Sequence, residues 1–242
     1  MHKKGFTLVE LLIAMVVGLV IMAAIYGMMN MSQQSSAGID RKVLTQQDVR
    51  AVLDLMAMEI RMASFNPTRT AATWGTVPAC PAMGLALANQ ARKGIQIATQ
   101  NNILVAMDLW DCDTAKNPPV QDSSIGCGGG IASNEYISYA YNSGAGTITR
   151  IVDCVNSDII LGVAGSGTKV VNDAGTPLFQ YYIPTQVAPL TNAELAFDTN
   201  IAAIRRIRIT IVADVETQGS TFKTSRRTYS TDVLVRNHVL SP

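Results

Sequence analysis

The stretch Lys3-Lys4-Gly5-Phe6-Thr7-Leu8-Val9-Glu10-Leu11-Leu12-Ile13-Ala14, continuing as MVVGLVIMAAIYGMM to Met29, decides how the rest of the chain is read. A basic leader gives way at Gly5–Phe6 to an apolar run. Phe6 to Met29 is 24 residues, about 36 Å of helix at ~1.5 Å per residue, enough to cross a ~30 Å hydrocarbon layer with some tilt. One residue is out of place, Glu10. A carboxylate at a bilayer centre costs about 2.5–3.5 kcal/mol, and each Leu, Ile, Val or Phe returns about 0.3–0.6 kcal/mol. The segment therefore inserts with Glu10 aboard, but it holds no cation to pair with the acid. A cut after Gly5 would provide one: the new α-amine of Phe6, one helical turn away on the same chain or better placed on a neighbouring copy.

These residues resemble the prepilin cleavage and methylation motif of type IV pilins and type II secretion pseudopilins, with Gly5, Phe6 and Glu10 matching position for position. The resemblance implies that a membrane-bound prepilin peptidase cuts between Gly5 and Phe6 and methylates the Phe6 amine. It also implies that Glu10 pairs with a terminal amine during filament assembly. An ordinary signal peptide would instead need a small-residue cleavage site beyond its apolar core. Ala23-Ala24 is the candidate, but the apolar run continues through Met29.

Lys3 and Lys4 precede the helix and no Lys or Arg follows until Arg41, so the N-terminus stays cytoplasmic and the bulk of the chain emerges on the far side. The remaining 200-odd residues suffice for one sizeable core. Formal net charge is +1, and falls to −1 when Lys3 and Lys4 leave with the leader; nucleic-acid binding gains no support from that balance. Cys80, Cys112, Cys127 and Cys154 all lie in the exported part, where thiols are oxidised. Four cysteines permit three pairings. Neighbour pairing, Cys80–Cys112 with Cys127–Cys154, closes the shorter loops; zinc is the competing reading, without a CxxC pair to support it.

Beyond Met29 the composition turns polar without a proline until Pro67, so the helix continues, loosened at Gly27 and Gly38. Val49, Val52, Leu53, Met56, Ile60 and Ala63 then recur at three- and four-residue spacing, with Gln47, Asp48, Arg50, Asp54 and Arg61 off the stripe. This amphipathic half leaves the membrane and lies against the globular domain, Met56 in the core and Met58 and Met62 flanking it. Phe65-Asn66-Pro67 ends it, with Asn66 as a left-handed cap. The stretch Gln47–Met56 with Glu59–Ala63, and a C-terminal hairpin ending in Arg236-Asn237, are similar to the minor pilins called PilW; the helix is also similar to the secretion pseudopilin GspJ.

After an irregular segment with Pro67, Pro78 and Pro81, Ile95–Thr99 and Ile103–Met107 read as a hairpin. A loop with Cys112, Cys127 and Gly128-Gly129-Gly130 follows; it lacks the Lys-Ser/Thr of a phosphate cradle. Tyr136–Tyr141 and Thr147–Val155 form a second hairpin, and shorter strands cover Asp158–Leu161, Lys169–Asn172 and Leu178–Ile183. Thr191-Asn192-Ala193-Glu194 resembles a capping box that starts one or two turns. Ile207, Ile209 and Ile211 alternate with Arg206, Arg208 and Thr210, giving a strand with one buried and one wet face that returns, past Gln218-Gly219-Ser220, through Phe222–Val235. Arg205, Arg206, Arg208, Arg226 and Arg227 form either a basic patch for pilus partners or DNA, or a solvated face diluted by Asp214, Glu216 and Asp232.

Once the leader is gone, His238 is the only histidine, which argues against a Ser/His/Asp or Cys/His catalytic set and against a histidine metal site. Asp108, Asp111 and Asp113, with Asp122 further on, supply hard oxygen donors for calcium but lack the glycine and closing glutamate of an EF-hand. No cofactor is expected.

The expected architecture is α+β: a leader at 1–5, a transmembrane half-helix at 6–29, an amphipathic half-helix at 30–66 and a mostly antiparallel β-rich domain at 67–242. The resemblance implies a non-enzymatic minor pilin that starts in the bacterial inner membrane, primes filament assembly and ends near the pilus tip on the cell surface. Its implied partners are prepilin peptidase, other minor and major pilins, and the inner-membrane assembly machinery. A type II secretion minor pseudopilin is the near alternative, and a membrane-anchored periplasmic enzyme or binding protein the distant one.

Overall fold

The computed structural model describes residues 5, 7–65, 94–107, 136–152, 154, 156–217 and 223–236. Its first element, α1, is one uninterrupted helix from Leu8 to Arg61, 54 residues long. It passes through Gly27 and Gly38 without a break. By length and composition it can cross a membrane. No residue from Leu8 to Leu44 is buried; burial begins at Thr45 and follows the stripe Val49, Val52, Leu53, Met56, Ile60. Met58 is exposed and Met62 packs against the edge of the core.

The helix ends earlier than the Asn66-Pro67 signal places it. Met62 is the C-cap, and Ser64, at φ 65, turns the chain in the left-handed region. The cause is tertiary: the Ser64 N–H donates to the Ala106 carbonyl at 3.0 Å, tying the helix end to the end of an inner strand of the sheet. Asn66 and Pro67 lie outside the described residues.

Nine strands follow among the described residues. The first sheet is an antiparallel meander in sequence order: β1 (Ile95–Ala98), β2 (Asn102–Ala106), β3 (Tyr136–Asn142), β4 (Thr147–Val152) and β5 (Asn156–Leu161). The expected strand through Val155 is instead broken after Val152. Cys154, buried and at φ 59, turns the chain so that Asn156 pairs back onto Val152.

The second sheet is built on β8 (Arg206–Thr217), which pairs along its whole length with β9 (Lys223–Leu234). The other edge of β8 pairs with two short strands, β7 (Phe179–Tyr182) along Arg206–Ile209 and β6 (Thr168–Val170) along Ala213–Val215. Between them the ladder would lapse, and the buried Asn172 side chain fills the gap. Its amide donates to the Thr210 carbonyl at 2.8 Å, and its carbonyl accepts the Val212 N–H at 3.0 Å. A side-chain amide thus replaces a peptide group in the ladder.

Ile207, Ile209 and Ile211 are fully buried as the alternation predicts, but Thr210 and Val212 on the opposite face are buried too. The wet face is confined to positions such as Arg206, Arg208 and Asp214, which are only half-buried.

The sheets meet at two glycines. Gly162 at φ +82 and Gly146 at φ +69 approach so closely that a Cβ on Gly162 would lie 2.3 Å from the Gly146 carbonyl oxygen. That carbonyl in turn accepts the Val170 N–H of β6 at 2.9 Å. The C-terminal part of α1 packs across β8 and β9 and against β5. One hydrophobic core unites the helix stripe with Ile103, Val105, Tyr139, Ile148, Phe179 and the β8 isoleucines. Each fully buried Val, Leu, Ile or Met there contributes about 1.5–3 kcal/mol. The architecture is α+β, a long N-terminal helix on antiparallel sheets, as expected.

Candidate functional site: the N-terminal junction

Three described residues define the junction. Gly5 adopts no left-handed conformation, and a Cβ there would meet nothing within 4 Å. Phe6 lies outside the described residues.

Thr7 is the N-cap of α1, with extended backbone at φ −82, ψ 151, and it forms a complete capping box with Glu10. The Thr7 hydroxyl accepts the Glu10 N–H at 3.3 Å. The Glu10 carboxylate accepts the Thr7 N–H and hydroxyl, each at 3.0 Å. Glu10 stands out in the sequence as a lone acid in an apolar run; its engagement by Thr7 is the further finding, and Thr-x-x-Glu before an apolar run is its capping-box signature. The acid also lies in the first helical turn, where unpaired N–H groups and the helix dipole favour a negative charge. Downstream, the apolar side chains from Leu8 to Met31 are all exposed, so this face has no partner among the described residues.

Elsewhere the described residues bring together one buried polar cluster that the sequence did not reveal. Glu59 on α1 is 8% exposed. The Arg150 guanidinium of β4 grips both its oxygens, Nη2 to Oε1 at 2.6 Å and Nε at 3.1 Å to each. The Tyr139 hydroxyl of β3 donates to the same carboxylate. Burial, and then the hydrogen bond to the Glu59 carboxylate, push the Tyr139 phenol far above its ordinary range; Glu59 likewise raises Arg150. The three groups satisfy one another, so the cluster clamps helix to sheet and offers no spare acid or base. Its one sequence signal is Glu59 itself, a carboxylate three residues after Met56 and next to Ile60, on the helix's apolar stripe.

The arginines of the second sheet are largely paired. Arg208 and Arg206 bond Asp232, at 2.9 and 3.4 Å, and Arg226 bonds Asp214 at 2.9 Å. Arg206 also stacks 3.8 Å above the Tyr182 ring. Arg205 donates to the Ala202 and Ile204 carbonyls. This arrangement is a solvated, charge-balanced face.

Cys154 is disulfide-bonded. Cys80, Cys112 and Cys127 lie outside the described residues, as do Asp108, Asp111, Asp113, Asp122 and His238. Among the described residues no group of three or more His, Cys, Asp or Glu could hold a metal ion.

Comparison with known families gives one match: residues 1–26 fit the prokaryotic N-terminal methylation motif. The chain thus carries the type IV pilin-like prepilin signal, at the head of a helix able to span a membrane. Neither the curated proteins nor the solved structures provide a match to the chain.

Proposed function

We propose that this chain is a minor pilin of the PilW type, a structural subunit that primes assembly of a type IV pilus and is built in near its tip. The observation that carries the reading is the methylation motif over residues 1–26, joined directly to a helix whose exposed apolar half needs a bilayer or a bundle of like helices. In this reading prepilin peptidase cuts between Gly5 and Phe6, within the matched motif. The enzyme then methylates the Phe6 amine. The subunit waits in the inner membrane with its β domain in the periplasm, and Glu10 subsequently pairs with a terminal amine as helices of other pilins gather around it. The β domain gives the subunit its shape; its disulfide at Cys154 suits an exported domain, and Cys127 is the partner we assign to it.

Mass spectrometry of the mature N-terminus tests the reading. N-methyl-Phe6 is expected; a chain beginning at Met1, or near residue 25, would overturn it. The motif is shared by type II secretion pseudopilins, so the filament is identified by recovery of the subunit from sheared surface pili rather than from a periplasmic fibre.

A further inference from the structure

The hairpin turn between β1 and β2 and the segment between β7 and β8 enclose an open groove of about 410 Å³. Gln100, Asn101 and Asn102 line one side; Asn192, Leu195 and Ala196 line the other. This volume lies within the range that takes small-molecule ligands, roughly 300–1,000 Å³.

The turn is held rigidly by its own backbone. The Gln100 carbonyl accepts the Phe179 N–H at 3.0 Å, and the Asn101 carbonyl accepts the Tyr141 N–H at 2.9 Å. The Tyr181 hydroxyl donates to the Thr99 carbonyl at 2.9 Å. With the main chain committed inward to both sheets, the side-chain amides stand on a fixed frame, which lowers the ordering cost of binding. Across the groove, Asn192 and Gln100 touch through a single amide–amide bond of 3.3 Å.

Among the described residues that line it, none is charged. The acid of the facing segment, Glu194, is engaged by the Thr191 N–H and hydroxyl at 2.7 and 2.8 Å. Four side-chain amides therefore offer donors and acceptors in equal measure over a small apolar floor of Ala98, Ala196 and Leu195. A neutral sugar ring matches this surface: hydroxyls that both donate and accept, and C–H faces that rest on small apolar side chains. An anionic ligand would find no cation here, and a peptide would find no deep side-chain pocket.

We propose that this groove is a binding site for a neutral oligosaccharide. The site does not rest on the pilus reading, since it stands in the β domain whatever filament the helix joins.

The test uses the full chain in lipid nanodiscs, free of glycoside detergents, on an array of neutral oligosaccharides with sialylated and sulfated counterparts and uncharged peptides. Retention of one or more neutral glycans is expected. Asn101→Ala with Asn192→Ala should weaken that binding about tenfold or more, the scale of losing one or two neutral hydrogen bonds, while the thermal midpoint is unchanged, because both residues are exposed. If the double variant shifts the midpoint, Asn101→Asp alone is read instead, which should lower binding by introducing an unmatched charge. No neutral glycan above background, preference for the anionic glycans or the peptides, or binding indifferent to these substitutions would each overturn the proposal.

Discussion

The two halves of α1 are one continuous helix serving two environments. From Leu8 to Leu44 no residue is buried, and the apolar side chains from Leu8 to Met31 are all exposed. From Thr45 to Arg61 the apolar residues draw into one stripe, and Val49, Met56 and Ile60 lose all contact with solvent. The hydrogen-bonded backbone is the same throughout, so side-chain distribution alone decides what each half meets. The acids mark the contrast as well. Glu10 stands exposed at the helix start and is held by an adjacent threonine; Glu59 is buried near the helix end and is held by residues 80 and 91 positions away.

The contrast predicts that removing one acid abolishes assembly and removing the other weakens the fold. The largest effect is expected for Glu10→Ala: membrane insertion persists, because the segment becomes more apolar, while recovery of the variant in sheared filaments falls to background. Normal recovery would break the assignment of Glu10 to assembly. Next is Glu59→Ala, which strands Arg150 and Tyr139. Breaking a buried pair costs about 3–5 kcal/mol, and because Arg150 keeps 25% exposure a loss nearer ~2–4 kcal/mol is expected in denaturant titration of the full chain. Membrane insertion should be unaffected, which separates the two halves experimentally.

A smaller effect concerns alkaline pH. The Tyr139 phenol is raised in the folded state, first by burial and then by Glu59. Its contribution is therefore complete below the unfolded value of ~10, and is lost as pH rises above it, since the unfolded chain ionises first. Tyr139→Phe should flatten the fall in stability above about pH 10. It should not abolish it, because burial also raises Tyr181. An unchanged slope would show that Tyr139 does not hold its proton.

The smallest effect is expected for Arg208→Ala on the exposed sheet face, within about 1 kcal/mol. Arg208 and Arg206 hold the Asp232 carboxyl below its usual range, and Arg226 does the same for Asp214. Both pairs contribute above the unfolded carboxyl value of ~3.9 and lose their contribution as pH falls below it. The acid limb of the stability curve should therefore soften in Arg208→Ala.

What was legible in the sequence follows the range of the interactions. The helix, its stripe and the hairpins at 95–107 and 136–152 depend on periods of 3.6 and 2 and on turn residues a few positions apart, so residues such as Met56 and Ile209 could be placed from spacing. The division of the strands into two sheets could not, because it depends on which edges meet. Asn172 gives no local sign that it completes the β8 ladder, and Ser64 gives none that it will end the helix by bonding Ala106. Glu59 did show an anomaly, an acid on an apolar stripe, but its partners come from strands far along the chain. At the junction the opposite holds: Gly5, Phe6 and Glu10 lie within six residues of one another, so their pattern is carried by sequence and matches the methylation motif over residues 1–26, while the described contacts of Glu10 stay local, within the capping box with Thr7.

If Glu10 has the assembly role proposed above, the capping box at Thr7 bears on its timing. In that reading the acid travels alone in lipid before meeting its amine, exposed to protonation or to a mistaken partner. Thr7 shelters it, since two donors already occupy the carboxylate and keep it folded back against the helix start. In the proposed filament the arriving amine then acts as a replacement for Thr7, and docking becomes an exchange of one set of bonds for a stronger one. A subunit of this kind can wait in the membrane with its charge in safekeeping, and release it only to a neighbour that offers a full positive charge.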